Sequence, residues 1–494
     1  SRLKTPLKKI DNELVEIEIQ DVYSELTEFI KDRQTKVNFL LGSNLTNEDY
    51  VAFREFSKTI SQSESSFYLN DDLLYKGFFG DNIELAKIDD LNSSDAIVVW
   101  AEDLKEKLPV LYLRIRQAVK NGVKLVVFGH TNETLSDIAD VFYGKDMVSE
   151  NFEILKDLSK MKEINNLVVG KNITAILGKS TPYQADESIT KLFEFLNSNA
   201  NSKVLNAYSK GNTYGAFQTL ENLKGLNDFV NDISKDNTDL LFIVGADPIG
   251  RSVYSNQIKS IIKSIDTVVT LDNFNHETSE LSDYVVPISS TLGEKEGTFT
   301  NIEFRTSRIE KLVPSPGQTV SDWEFITSLM NFAGLKAEAN SLEDLNRKAY
   351  ENLDSSLSPV FDNLDKPSNL DGMINISKPK ISTSENKLNK TMFFTGEKLY
   401  GDSATERHSD SISMLGSKKF IEVSESVVEK YNLTSGSCTL TQDELEVTVS
   451  YEVNNNFPND LVYIPTNRRE LNKFDFSREI LIIPTQVKEA LNVN

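Results

Sequence analysis

Cysteine is almost missing from this chain, which carries Cys438 alone in 494 residues. One thiol makes no intrachain disulfide, no four-thiolate zinc site and no iron–sulfur cluster, since each needs several. The sequence fits a reducing, cytoplasmic setting and holds no electron wire of its own. Histidine is nearly as scarce. His130, His276 and His408 are far apart, and "HETSE" at 276 to 280 lacks the second histidine of a zinc-protease helix, so no metal site is expected.

Positive charge is short: 53 basic residues stand against 75 acidic ones, a formal net charge of -22. Such a surface repels phosphate backbones and anionic lipid heads, which argues against nucleic acid as a partner. Long apolar runs are also lacking. "AIVVW" (96 to 100), "LVVF" (125 to 128) and "LLFIVG" (240 to 245) fall far below the roughly 20 residues that span a bilayer, so no direct membrane insertion is expected. The start "SRLKTPLKKI" has neither Met nor an apolar signal region and reads as a cut in a longer chain or an artificial start. A phosphate loop is absent as well, because "VGKNITAILGKS" places Ile173 where the first glycine should stand.

What is present is alternation. An apolar-patterned hairpin around Asp11-Asn12 leads into a helix over "VYSELTEFIKD", and then strands and helices take turns. "VNFLLG" precedes a helix capped at Thr46 or Asn47. "AIVVW" leads through Pro109, an amphipathic helix and the turn "NG" to "VKLVVFG", which is a βαβ unit. "ITAILG", the helix "ADESITKLFEFLN", "LLFIVGADPIG", the helix "NQIKSIIKSI" and "TVVTLD" repeat the pattern. Alternation of this kind predicts an α/β fold with parallel sheets and ligand crevices at the carboxyl ends of strands. At this length about three domains are expected. Residues 351–386, rich in Ser, Asn, Asp and Pro, read as a linker, and the short strands beyond it read as a small β-barrel. The expected segments are an opening hairpin and helix (1–35), two Rossmann-like α/β regions (36–165 and 166–350), the linker, and a C-terminal β-barrel (387–494).

Three local constellations carry chemistry or a plain structural role. "GADPIG" places Gly245 at a strand end, Asp247 as N-cap and Pro248 at the first helical position. It is either a close backbone approach to a nucleotide or an ordinary strand-to-helix turn. "HETSELSDYVVP" sets Glu277, Glu280 and Asp283 three apart, which reads as a carboxylate pair for acid–base work or as a solvated face. "EKEGTFTN" surrounds Gly297 with Thr298, Thr300 and Asn301, a flexible backbone position among hydroxyl and amide groups. Cys438, on an expected strand, reads as a small buried hydrophobe.

Together, "ETSELSDYVVP" and "EKEGTFTNIEFR" resemble the signature of the molybdopterin oxidoreductase superfamily. "LPVLYLRIRQAVKNG" resembles the large peripheral-arm subunit of NADH–quinone oxidoreductase, complex I, without its iron–sulfur N-terminal portion. "RLKTPLKKIDNELVEI", "GSNLTNEDY" and the 420 to 465 region extend the resemblance over most of the chain. The resemblance implies Rossmann-like domains of the molybdopterin oxidoreductase type. It also implies a pterin pocket whose remnants are Gly245, Asp247, Asp272, Glu277, Thr278, Asp283, Gly297, Thr298 and Asn301.

Two departures point away from a bound cofactor. "WAEDLKEK" puts Trp100, Glu102 and Asp103 at a strand end where relatives have glycine and small neutral residues. Bulk blocks close approach there and carboxylates repel a pyrophosphate. Phe304 stands where the family commonly has glycine. The leading expectation is therefore a scaffold of complex I with no cofactor, no catalytic residue and no metal ligand. Its expected partners are other peripheral-arm subunits and an iron–sulfur-cluster-bearing domain, placing it at the inner face of the membrane through the complex. The first alternative is an active oxidoreductase carrying molybdopterin guanine dinucleotide with molybdenum or tungsten on a non-cysteine ligand. The second is a free-standing binding module of another redox assembly.

Overall fold

The computed structural model describes residues 2–31, 35–60, 65–71, 84–100, 102–129, 133–144, 162–178, 196, 201–220, 222–303, 305–350, 391–401, 404–416, 420–468, 470–476 and 478–485. The 351–386 segment, His130 and Phe304 lie outside these residues, as does nearly all of "ADESITKLFEFLN". Two compact units are formed. The first takes Ser1–Leu73, Lys210–Gly250 and Tyr254–Asn375, and the second takes Leu74–Ser209, Arg251–Val253 and Ile376–Asn494.

The first unit opens with the expected hairpin, β1 (Leu7–Ile10) and β2 (Glu13–Glu16). Asp11 and Asn12 both have positive φ, at 50° and 67°. This is the conformation that a two-residue turn between right-twisted strands requires. β3 (Val37–Leu41) and β4 (Phe67–Leu69) follow, buried at every position. The chain then supplies the second unit with β5 (Glu84–Leu85), β6 (Ala96–Trp100), β7 (Lys124–Phe128), β8 (Val141–Tyr143), β9 (Ile173–Leu177) and β10 (Ser202–Asn206). It returns to the first unit for β11 (Leu240–Val244), β12 (Thr267–Asp272), β13 (Tyr284–Pro287) and the hairpin β14 (Gly297–Thr300) and β15 (Thr306–Ile309). The second unit finishes with β16 (Met392–Gly396), β17 (Phe420–Val423), β18 (Ser437–Gln442), β19 (Leu445–Val453), β20 (Leu461–Pro465) and β21 (Leu481–Pro484).

In the first unit the strands run in the order β2-β1-β13-β12-β11-β3-β4, and β13 through β4 are parallel. The strand partner of β3 is β11, some 200 residues further on: Phe39 registers with Phe242 on one side and with Phe67 of β4 on the other. The three rings stack across the sheet, with centroids 5.6 and 5.0 Å apart. Burying each ring is worth roughly 1.5–3 kcal/mol. The helix Asn47–Ile60, after β3, packs Tyr50, Phe53 and Phe56 on this face. The helix Ser255–Ser264, after β11, packs Ile258 and Ile262 on the other, with Leu40, Leu241 and Ile243. β3 leads to β4 at one edge while β11 leads to β12 and β13 toward the opposite edge. The connections diverge between β3 and β11, which makes their carboxyl ends the switch point of this sheet.

The second unit's α/β sheet is ordered β5-β10-β9-β6-β7-β8 and its ladders are parallel. β6 leads to β7 and β8 on one side, and β9 leads to β10 on the other, so its switch point lies at the ends of β6 and β9. The C-terminal strands form a curled six-stranded sheet, ordered β16-β20-β17-β19-β18-β21, where the short strands predicted a small barrel. Cys438 lies fully buried on β18 among Ile421, Val449 and Ile464. Burial pushes its thiol up to about 11, so it is an inert core residue, as expected. Among the described residues no helix is long and apolar enough to cross a membrane.

The end of β3 gives a direct test of the register. A Cβ on Gly42 would sit 2.0 Å from the Gly245 carbonyl oxygen, while the Gly42 amide donates to Val244 at 2.7 Å. Gly42→Ala must push two central strand ends apart, with an expected loss of about 1–3 kcal/mol. Urea unfolding measures it, and an unchanged midpoint contradicts this packing.

Candidate functional site

Gly245 follows β11 at φ 58°, a left-handed conformation that favours glycine, and the Leu45 side chain fills the space beside it. Asp247 caps the helical turn Pro248–Arg251 as "GADPIG" predicted, accepting from the Gly250 amide at 3.1 Å. It also accepts the Thr278 hydroxyl proton at 2.7 Å, and Thr278 in turn accepts from the Ile249 amide. At the end of β12, Asp272 accepts from the Asn273 and Phe274 amides.

Between these two aspartates lies His276, 3% exposed. Its Nδ1 is 3.2 Å from Asp247 and its Nε2 is 3.3 Å from Asp272. Neither contact is an aligned hydrogen bond: Nδ1 accepts from the Ser279 amide at 3.3 Å and Nε2 has no hydrogen-bond partner, so both pairings with the carboxylates are electrostatic. Burial works against an imidazolium, but Asp272 and then Asp247 outweigh it and carry His276 up to about 10. Asp247 moves oppositely: burial would raise it, and His276 with its donors holds it well below the usual carboxylate range.

Gly297, Thr298 and Asn301 occupy the β14–β15 hairpin. A Cβ on Gly297 would meet Thr46 at 2.6 Å and Glu48 at 2.8 Å. Glu48 accepts both the amide and the hydroxyl of Thr298 at 2.8 Å, and the Asn346 amide at 2.6 Å. Burial raises Glu48 despite these donors. Asn301 closes the hairpin turn by accepting from the Glu303 and Arg305 amides. Two residues before Gly297, Lys295 is buried between Asp49 and Asp322. Asp49 and Thr46 form a reciprocal cap at the start of the same helix.

The structure therefore gathers Asp247, Asp272 and, through Asp247, Thr278 at His276, sets Gly245 against Gly42 and Leu45, and gathers Gly297 and Thr298 around Glu48. The last two groups meet the turn 42–49 that follows β3. Glu277 is half-buried beside them, on the loop leading to the three-residue helical turn Ser279–Leu281. Asp283 is elsewhere: it precedes β13 and accepts from the Val268 amide at the amino end of β12. Beside the same turn, the buried hydroxyls of Ser43 and Thr213 have no hydrogen-bond partner. A backbone bond from Asn212 to Ser43 at 2.8 Å joins the two segments.

At the other switch point, Trp100 ends β6 and Gly178 follows β9. A Cβ on Gly178 would lie 2.0 Å from the Glu102 Cβ, and Glu102 is buried. The Glu102 side chain thus takes the room that the glycine leaves. Asp103 caps the turn Leu104–Lys107 and is pushed up to about 7 by burial, against the pull of Lys398. Trp100 Nε1 and Asn206 Oδ1, at the ends of β6 and β10, are buried without partners. Among the described residues no group of three or more His, Cys, Asp or Glu side chains is placed to hold a metal ion.

The family profile described as Molybdopterin oxidoreductase matches residues 2–332. The F420-dependent formate dehydrogenase subunit alpha of Methanocaldococcus jannaschii is 22% identical over 432 residues, covering 70% of this chain and 64% of that protein. An NADH-quinone oxidoreductase subunit of Rhizobium meliloti is 25% identical over 247 residues, 48% of this chain and 28% of that protein. The chain thus spans less than two thirds of the length of these curated relatives. Among solved structures, acetylene hydratase from Pelobacter acetylenicus aligns with a TM-score of 0.63 at 12% identity, over 94% of this chain and 85% of that one, a likeness of fold. The formate dehydrogenase match is broader than the match to the NADH-quinone oxidoreductase subunit.

Proposed function

Because the chain belongs to the molybdopterin oxidoreductase family, we propose that it is the pterin-holding part of a multi-subunit molybdenum or tungsten oxidoreductase, with a metal ligand other than cysteine. The carrying observation is the pair of buried, partnerless hydroxyls, Ser43 and Thr213, at the switch point of the first sheet. A buried hydroxyl left unpaired costs about 1–3 kcal/mol, so a polar ligand that engages both recovers that cost. His276 lies between Asp247 and Asp272, which raise its pKa, at the ends of β11 and β12. Cys438, buried in the C-terminal sheet with its thiol pushed up, is not available to a metal.

When bound, such a group supplies two-electron exchange with a small substrate. Onward transfer needs redox centres outside these 494 residues, because one cysteine cannot ligate a cluster. Both relatives are named as subunits of larger enzymes, which supports a partner of this kind. The test is elemental and pterin analysis of the complex isolated from its native cells. About one molybdenum or tungsten per chain with extractable pterin is expected, and a preparation free of metal and pterin defeats the proposal.

A second reading is favoured by Glu102, whose side chain occupies the space beside Gly178. There the chain is a cofactor-free scaffold of NADH–quinone oxidoreductase, peripheral to the membrane through the complex. Metal-free chain co-purifying with NADH dehydrogenase subunits supports it.

A further inference from the structure

Within the second unit, two short segments from different sheets meet through charged groups. One is the turn Leu104–Lys107, which follows β6 and is capped by Asp103. The other is residues 397–399, which follow β16 at the edge of the C-terminal sheet. Lys107 Nζ lies 3.2 Å from Glu397, the Leu399 amide donates to Glu106 at 2.8 Å, and Lys398 Nζ lies 3.9 Å from Glu106. Lys398 also donates to Glu422 of β17 at 2.6 Å and stands 4.9 Å from the ring centroid of Tyr463 on β20. Asn467 fixes the Lys398 backbone, accepting from its amide at 3.0 Å and donating to its carbonyl at 2.7 Å.

Negative charge exceeds positive in this largely buried contact. The carboxyls of Glu102, Asp103, Glu106, Glu397 and Glu422 face only Lys107 and Lys398, while Lys105 of the same turn is exposed. One proton taken up by the cluster relieves part of that repulsion. Asp103 is the group placed to hold it: burial pushes its carboxyl up to about 7 against the pull of Lys398, and Glu106 and Glu102 add to the rise.

We propose that this contact is a proton-controlled latch between the α/β sheet and the C-terminal sheet of the second unit, closed in mild acid and loosening as pH rises through neutrality. The latch is independent of the pterin-holding reading above. Once opened to solvent, Asp103 returns to an ordinary carboxyl near 4, so the closed latch holds more protons than the open one between about pH 4 and pH 7. Closure is therefore favoured as pH falls. Its advantage shrinks as pH rises across that window and levels off above it.

The experiment is hydrogen exchange of the full chain, resolved by mass after fragmentation, with each rate divided by its intrinsic value at the same pH. The reporter is the Leu399 amide, whose acceptor Glu106 lies across the contact. Its protection is expected to fall about thirtyfold from pH 5.5 to pH 8, while the core of β6 keeps its own. A flat profile, or an equal fall in the core of β6, overturns the latch. Asp103→Asn keeps an acceptor for the Glu106 amide and removes the titration. In that variant the profile is expected to be flat, and a fall as large as the parent's overturns the assignment to Asp103. Lys398→Met is expected to lower Leu399 protection at least tenfold at pH 5.5 with β6 unaffected, and unchanged protection there overturns the role of Lys398.

Discussion

Lys295→Met is expected to cost the first unit about 3–5 kcal/mol, the loss that follows when one partner is removed from a buried ion pair. Lys295 and both its partners, Asp49 and Asp322, are 1% exposed or less on the side chain. Asp49 is held in addition by the Thr46 and Trp323 amides, but one Asp322 oxygen has no partner at all. Burial, reinforced by Asp49 and opposed by Lys295, pushes the Asp322 carboxyl up. Burial also works against the Lys295 charge, yet the two carboxylates outweigh it and hold its pKa above the ordinary lysine range.

Without the cation, two buried carboxyls must share the space, and the native state takes up protons that the unfolded chain, with carboxyls near 4, does not. Stability of the variant therefore rises as pH falls from 8 toward 5, and its deficit against the parent shrinks over that window. Trp323 lies on the helix that begins at Asp322, so its emission in a Trp100→Phe background reports this unit. Adding Asp322→Asn is expected to return about 0.5–3 kcal/mol. A Lys295→Met protein with the parental urea midpoint at pH 8 would show that the ion pair does not hold the hairpin.

The buried strands were legible because parallel sheets covered on both faces need uninterrupted apolar runs, as in β3, β6, β9, β11 and β12. The first hairpin was legible from Asp11-Asn12, residues that tolerate positive φ. Strand order was not, because nothing near Phe39 specifies Phe242 as its neighbour; the stacking of three rings across β4, β3 and β11 decides it. β16 and β21 form the two edges of the C-terminal sheet, and only one residue of each is fully buried despite their apolar sequences.

The same limit governs the site. "GADPIG" and "EKEGTFTN" announced themselves through turn chemistry, and the structure gives both definite partners. Lys295 and Glu48 carried no such signal, since charged residues are almost never fully buried unless paired. Their partners lie far away in sequence, at Asp322 and Asn346. Asp283 was grouped with Glu277 by spacing, but the chain turns into β13 between them and carries Asp283 to the opposite end of the sheet. His276 was weighed only as a metal ligand. The Asp four residues before it and the Asp of "GADPIG" were the available signal for a buried imidazolium instead.

That imidazolium makes the second large prediction. A histidine raised to about 10 in the native state and near 6.5 when unfolded stabilises the fold fully below pH 6.5. The contribution declines as pH rises and is gone above about 10, where the folded form also loses its proton. Asp247 works with the opposite sign: its lowered pKa adds stability above about pH 4 that is lost under acid. His276→Gln keeps approximate size and hydrogen bonding but removes the charge, leaving Asp247 and Asp272 facing each other across the ends of β11 and β12. The expected cost at pH 6 is about 3–5 kcal/mol, read from urea midpoints. It should narrow steadily toward pH 10, because the parent protein surrenders the same charge there. A deficit that stays constant from pH 6 to pH 10 would mean that His276 acts through packing alone. A deficit that narrows ties the geometry of both strand ends, and whatever binds against Gly245, to one buried proton.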